Sequence, residues 1–250
     1  MQISPPFGYR DITPFLKTHK LTLPPAGAVP AFTRSLNAIP VSYTEFNAAS
    51  RDYPLVFASN DGGKTIAPVA VLGLEANENL FLDATAWVAS TYVPAYVRRY
   101  PFCMARVTLD AVEQEQRLIC VEKDFVAAAG EGGEPMFNEQ AEALPRWAAI
   151  EQLLREYEAD LERSAEMCGI FTGYGLIESF TMQATLNSGA AMSLTGMFRI
   201  DEKKLAALGA DQLRTLISKG LMAKIYTHFM SLENFGRLLE RKAARGVIQA

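Results

Sequence analysis

The densest grouping of side chains able to do chemistry is the run Trp87-Val88-Ala89-Ser90-Thr91-Tyr92-Val93-Pro94-Ala95-Tyr96-Val97-Arg98-Arg99-Tyr100-Pro101-Phe102. Guanidinium groups beside tyrosines suit a carboxylate, a phosphate or the acidic loop of a partner. The planar fork pairs bidentately with such groups, and the rings exclude water around the pair. On a helix, Tyr92, Tyr96 and Arg99 or Tyr100 share one side, while Arg98 points elsewhere. Trp87, Tyr92, Tyr96, Arg98, Arg99 and Tyr100 are therefore the candidate binding residues, with a protein partner or a small anionic ligand as the occupant. The competing use is packing, with the tyrosines filling a junction between lobes and the arginines paired to Asp83, Asp52 or Glu178. Pro94 and Pro101 bracket the segment and stiffen it, which suits either use.

No other grouping defines a reaction. The chain has two histidines, His19 and His228, and three cysteines, Cys103, Cys120 and Cys168. None of these lies at a spacing that builds a zinc or iron site, so no metal and no cofactor is expected. His228 follows Thr227 on a helical segment and reads as a helix-surface or interface histidine, with a general-base role as the alternative. A nucleophilic Cys168 would need a neighbouring base and a lowered pKa, and the sequence supplies neither. Asp52, Asp61, Asp83 and Glu178 lie in or near strand-like segments, but no spacing marks two of them as a facing acid–base pair. Glycine-rich phosphate loops, GxSxG elbows and HExxH pairs are absent from the sequence. Whether the chain is an enzyme stays open at this level.

Charge narrows the partners. Lys and Arg number 24 against 28 Asp and Glu, a formal net charge of −4. That balance argues against sequence-independent binding to a phosphate backbone, so no nucleic acid is expected. No apolar run approaches the length of about 20 residues that spans a bilayer. The start, Met1-Gln2-Ile3-Ser4-Pro5-Pro6, has no basic stretch leading into an apolar one. Three widely spaced cysteines without CxxC read as free thiols in a reducing compartment, so a cytoplasmic setting is expected. A homo-oligomer is compatible with all of this.

The elements that must carry these residues follow from proline placement and from periodicity. Residues 1–50 contain Pro5, Pro6, Pro14, Pro24, Pro25, Pro30 and Pro40 among scattered aromatic and aliphatic residues. They read as an extended arm wrapping the body, anchored by some of its aromatics. Residues 51–130 read as a strand-rich lobe. Tyr53–Ala58 and Ile66–Leu72 form a hairpin across Asn60-Asp61-Gly62-Gly63, Asn79–Asp83 is a short third strand, and Cys103–Leu109 pairs with Arg117–Glu122 around a loop at Asp110–Glu115. A short helix over Tyr92–Tyr100 begins near Pro94.

Residues 131–250 read as a helix-rich lobe that forms one compact unit with the strand-rich one. The Gly130–Gly133 loop stands at the junction. Ile150, Leu153, Leu154, Tyr157, Leu161, Met167 and Cys168 recur at helical steps, with Asn138 or Pro145 as the start and Gly169, Gly173 and Gly175 at the end. A hairpin of Leu176–Leu186 and Met192–Ile200 turns at Asn187-Ser188-Gly189. Asp201 and Asp211 are N-cap candidates, Gly209 and Gly220 are stops, and Met222, Ile225, Tyr226, Phe229, Leu232, Phe235, Leu238 and Leu239 supply the apolar residues of the last helical segment. The fold class is α+β, with antiparallel strands, helices concentrated in the C-terminal half, and an extended Pro-rich N-terminal arm.

Several stretches together resemble the SapC family of bacterial proteins. They are Tyr53–Phe57, Pro68–Leu74, Glu78–Asp83, the Tyr92–Phe102 block, Leu194–Leu205 and Tyr226-Thr227-His228-Phe229-Met230-Ser231-Leu232-Glu233-Asn234-Phe235. The family takes its name from a protein linked to a bacterial paracrystalline surface layer. Its members tend to be encoded beside flavin-dependent halogenase-like proteins, cupin-like proteins and outer-membrane receptors. The resemblance implies no catalytic residues. The same name belongs to the permease of an antimicrobial-peptide transporter, which the absence of apolar spans excludes for this chain. The function expected first is a non-enzymatic cytoplasmic binding or accessory protein. The alternatives are a small enzyme or halogenase-associated helper that binds an anionic small molecule, and a surface-layer or envelope structural component.

Overall fold

The computed structural model describes residues 2–25, 27–83, 86–109, 112–113, 117–128, 132–185 and 191–248. In chain order the strands are β1 (Gln2–Ile3), β2 (Ile12–Pro14), β3 (Lys20–Leu21), β4 (Ala38–Pro40), β5 (Leu55–Ala58), β6 (Ala67–Val71), β7 (Leu82–Asp83) and β8 (Ala86–Trp87). They continue with β9 (Phe102–Ala105), β10 (Val107–Leu109), β11 (Val112–Glu113), β12 (Leu118–Glu122), β13 (Glu134–Pro135), β14 (Ile177–Thr185) and β15 (Ala191–Ile200). The helices are α1 (Phe46–Ala49), α2 (Ala95–Arg98), α3 (Pro145–Gly173), α4 (Glu202–Ala206), α5 (Ala210–Ser218), α6 (Leu221–Ser231) and α7 (Asn234–Ile248). The chain is α+β, the strand pairs among the described residues are antiparallel, and its helices lie mostly in the C-terminal half.

Two compact units divide the chain. One comprises Met1–Thr33 and Val97–Ala159, the other Arg34–Tyr96 and Asp160–Ala250. These cuts fall at points that the segments 1–50, 51–130 and 131–250 do not mark.

In the first unit the proline-rich start of the chain is built into sheets. Strand β1 pairs with β10, β2 with β12, and β3 with β13, giving the orders β1-β10-β11, β2-β12-β9 and β13-β3. Prolines suit such brief edge strands, because the outer side of an edge needs no N–H donor. The anchors are specific. The Tyr9 hydroxyl donates to the Phe102 carbonyl at 2.6 Å, and the Arg10 and Asp11 amides donate to the Glu122 carboxylate at 2.7 and 3.2 Å. One apolar cluster gathers Leu21, Phe102, Val121, Met136, Trp147 and Leu154, with Phe15 packed 4.4 Å from the Trp147 ring. A second gathers Tyr9, Ile12, Cys103, Ala105 and Cys120.

The second unit is built on a five-stranded sheet of order β14-β15-β5-β6-β4. The β5–β6 and β14–β15 hairpins form where strand-like runs flank turn residues. The expected turn Asn187-Ser188-Gly189 lies outside the described residues, as does most of the Asp110–Glu115 loop and part of Gly130–Gly133. The β14–β15 register shifts between Phe180 and Met182, and Gly196 opposite has φ +79°, the left-handed backbone that a bulge residue takes and glycine tolerates.

Helix α3 opens at Pro145, whose missing N–H costs nothing in a first turn. Its buried residues Trp147, Leu154 and Tyr157 belong to the first unit, and Met167, Cys168 and Phe171 to the second.

Three local expectations change. The Tyr92–Tyr100 helix is only Ala95–Arg98, because Pro94 and Pro101 confine it, so no long helix stacks the tyrosines. Of the Asn79–Asp83 segment only Leu82–Asp83 is a strand, since the Asn79 side chain accepts the Phe81 amide at 2.9 Å and holds a local turn. Asp201 caps α4 as expected, accepting from the Lys203 and Lys204 amides, but the N-cap of α5 is Gly209 and Asp211 lies inside its first turn. There Gln212 takes the Gly209 amide at 3.1 Å.

Candidate functional site

The six residues singled out by type divide between the units. Trp87, Tyr92 and Tyr96 belong to the second, and Arg98, Arg99 and Tyr100 to the first. In the second unit Trp87 is buried and its indole N–H donates to the Tyr53 hydroxyl at 2.8 Å. Tyr53 in turn donates to the Tyr92 carbonyl, and burial pushes its phenol well above the ordinary range. The Tyr92 amide donates to Asp52 at 2.8 Å and its hydroxyl to Glu45 at 3.0 Å.

Glu45 is the hub of this network. It is 4% exposed, and its carboxylate also accepts the Ser42 amide at 2.7 Å and the Ala95 amide at 2.6 Å. A buried carboxylate is tolerated here because it receives three directed donors, each stronger for being charge-assisted. Tyr96 is buried as well.

In the first unit Arg99 is 5% exposed, 3.9 Å from Glu158, with its guanidinium over the Tyr157 ring at 4.8 Å and the Tyr9 ring at 5.6 Å. Arg117 pairs with the same Glu158 carboxylate. Tyr100 is half-buried among Tyr9, Phe32 and Phe125, and burial raises its phenol. Arg98 is exposed. Asp52 is in use, but by the Tyr92 backbone and not by an arginine, while Glu178 pairs with Arg199 at 2.7 Å.

His228 corrects its own expectation. It is fully buried, not on the helix surface, with Nδ1 2.7 Å from the Leu55 carbonyl and Nε2 accepting the Ile200 amide at 3.2 Å. That pair of contacts fixes the neutral tautomer with its proton on Nδ1. Burial holds the imidazole down at about 4. Ser231 and Asn234 continue the seam. The Ser231 hydroxyl accepts the Leu55 amide at 3.0 Å, and the Asn234 amide donates to the Ser50 and Tyr53 carbonyls. These polar residues satisfy the backbone that leads into β5.

The same helices present a different face outward. Tyr226 is 55% exposed and Met230 is 73% exposed, one turn apart on α6. Beside them runs an open groove of about 720 Å³ whose walls include Arg51, Ala223, Thr227, Met230, Glu233 and Arg237. The Arg237 guanidinium donates to the Arg51 carbonyl at 3.0 Å, which holds it along the groove. Arg51, Glu233 and Arg237 line it together with the large flexible thioether of Met230. Exposed Met, Tyr and Arg are the residue types enriched where protein surfaces meet. A smaller pocket of about 250 Å³ lies between Tyr43, Met167, Ile170 and Leu221, with its Lys219 and Glu166 paired to each other at 2.6 Å.

The groove is not legible from residue type alone, because Tyr226 and Phe229 both read as part of the apolar set of the helix. The signal was present in the phase. Leu221, Ile225 and His228 define the inward face, and positions 226 and 230 fall off it.

The SapC family model matches residues 17–238, and the chain belongs to that family. No curated protein and no solved structure matches it. Among the described residues no helix is long and apolar enough to cross a membrane, and no cluster of three or more His, Cys, Asp or Glu residues could hold a metal ion.

Proposed function

We propose that this SapC-family chain is a non-enzymatic binding module of a bacterial cell that receives an acidic segment of a partner protein in the groove beside α6. The observation that carries this reading is the outward face of that helix, where Tyr226 and Met230 stand exposed next to a groove bearing Arg51 and Arg237. An aromatic and a methionine supply apolar anchors. The guanidiniums suit carboxylates and discriminate against basic partners. The chain's most strongly shifted groups support a structural use for its titratable core: His228, Tyr53 and the three cysteines are buried, and their shifts are dominated by desolvation. A reducing compartment, the cytoplasm, is part of the proposal, since Cys103, Cys120 and Cys168 are all buried free thiols.

The test is site-specific photo-crosslinking in the native host. A photoreactive side chain at Thr227, in the groove, is expected to capture one protein with an acidic segment at its contact site. The same side chain at Asp211, on the exposed side of α5, is expected to capture none of it. Equal capture at both positions, or capture at Asp211 alone, overturns the proposal.

A further inference from the structure

Cys103 on β9 and Cys120 on β12 are direct register partners in the antiparallel ladder, and both side chains are fully buried. Opposite residues of an antiparallel pair send their side chains to the same face. The kind of pair follows from the backbone. The Glu122 amide donates to the Pro101 carbonyl at 3.1 Å, so that opposed pair is hydrogen-bonded. Alternation along the ladder makes Phe102 with Val121 a non-bonded pair and Cys103 with Cys120 the next hydrogen-bonded one. On the other edge of β12, the Phe15 amide bonds the Ile119 carbonyl, which agrees with that alternation.

A hydrogen-bonded pair holds its Cα atoms about 5.5 Å apart, inside the range of disulfides and near their commonest value. Its Cβ atoms stand at the wide end of the cross-strand range, about 5.5 Å, where a disulfide wants about 3.8 Å. Closing the bond therefore pinches the two strands together, and a bond formed under such strain is readily reduced again.

We propose that Cys103 and Cys120 are a reversible redox pair, which closes to a cross-strand disulfide under sustained oxidation and reopens in a reducing compartment. With hydrogen peroxide as oxidant, one thiolate attacks the O–O bond to give a sulfenic acid and a hydroxide, which takes up the thiol's released proton and leaves as water. The second thiol then attacks that sulfur, the S–S bond forms, and a second water leaves. Two thiols lose two electrons and two protons, and the peroxide is reduced to two waters. Burial pushes Cys103 up to about 12 and Cys120 up to about 11, which slows the first step and keeps the pair quiet under brief exposure. The strand register pairs Cys103 with Cys120, and Cys168, on α3, is not part of that ladder.

The test follows the full chain by alkylation and peptide mapping, both after hydrogen peroxide treatment of the folded protein and after refolding in a buffer of oxidised and reduced glutathione. Refolding removes any barrier of access. The expected result is a peptide joining Cys103 to Cys120, lighter by two hydrogens, with Cys168 still alkylated. Dithiothreitol should reverse it. In Cys120→Ser the linkage should be absent. If both thiols stay alkylatable after refolding in the oxidising buffer, or if either joins Cys168 or glutathione instead, the pair has no such role.

Discussion

His228 shows how a titratable residue can be given entirely to the fold. Its Nε2 must stay an acceptor for the Ile200 amide, so protonation breaks one buried hydrogen bond and places a charge beside the Phe57 ring, 5.3 Å away. The direction of the pH effect follows. The unfolded imidazole titrates near its ordinary value of 6.5 and the folded one at about 4, so the unfolded chain binds the extra proton between those values. The contribution of His228 is whole above about pH 6.5, falls as pH drops towards 4, and changes little below that. It should amount to about 3 kcal/mol lost between pH 7 and pH 4. Urea midpoints of wild type and His228→Gln across that range check this, and parallel curves would contradict it. Glu45 makes the complementary case. Removing its carboxylate leaves the Ser42 amide, the Ala95 amide and the Tyr92 hydroxyl without their acceptor. Glu45→Ala should cost about 3 kcal/mol in denaturant unfolding, and a loss under about 1 kcal/mol would deny it the role of hub.

At the scale of elements, the loop before β7 is held by close backbone approach and by α7. A Cβ at Gly73 would meet the Glu78 carbonyl well inside van der Waals contact. Glu78 is itself fixed, accepting the Leu74 amide at 2.8 Å and pairing with Lys242 at 2.6 Å, while Arg245 donates to the Asn79 and Leu82 carbonyls. With no flexible side chain to give way, Gly73→Ala should destabilise by about 1–3 kcal/mol, visible as a lower Tm, and an unchanged Tm would show that the loop yields. The hairpins were legible in the sequence because alternation and Gly-Asn-Asp turns are local signals. Long α3 was legible because an amphipathic stripe repeats over many turns. The seam His228, Ser231 and Asn234 was not legible, since polar residues at helical spacing read as a solvated face until a partner backbone is seen against them. The partners of the Trp87–Phe102 block were not legible for the reverse reason: Tyr53 and Glu45, which hold Trp87 and Tyr92, lie 34 and 47 residues away along the chain. Cys103 and Cys120 likewise become neighbours only through strand register.

Across the whole molecule, binding falls to the surface that is left over once the cores and polar networks are complete. The aromatic and arginine residues around Pro94 are largely drawn into the two units, while α6 keeps Tyr226 and Met230 exposed beside a groove that carries Arg51 and Arg237. Single changes on that face should leave folding within about 0.5 kcal/mol of wild type, as surface substitutions generally do. The most direct measurement is therefore quantitative mass spectrometry of tagged wild type, Met230→Glu and Arg98→Ala, each purified from the native host after mild crosslinking. Each variant is first matched to wild type in Tm. A stoichiometric protein partner should be recovered with wild type and with Arg98→Ala, and should fall at least about tenfold with Met230→Glu, since an apolar anchor is worth more than about 1.4 kcal/mol at an interface centre. Undiminished recovery with Met230→Glu, or a loss confined to Arg98→Ala, would contradict the account and move the binding surface away from α6.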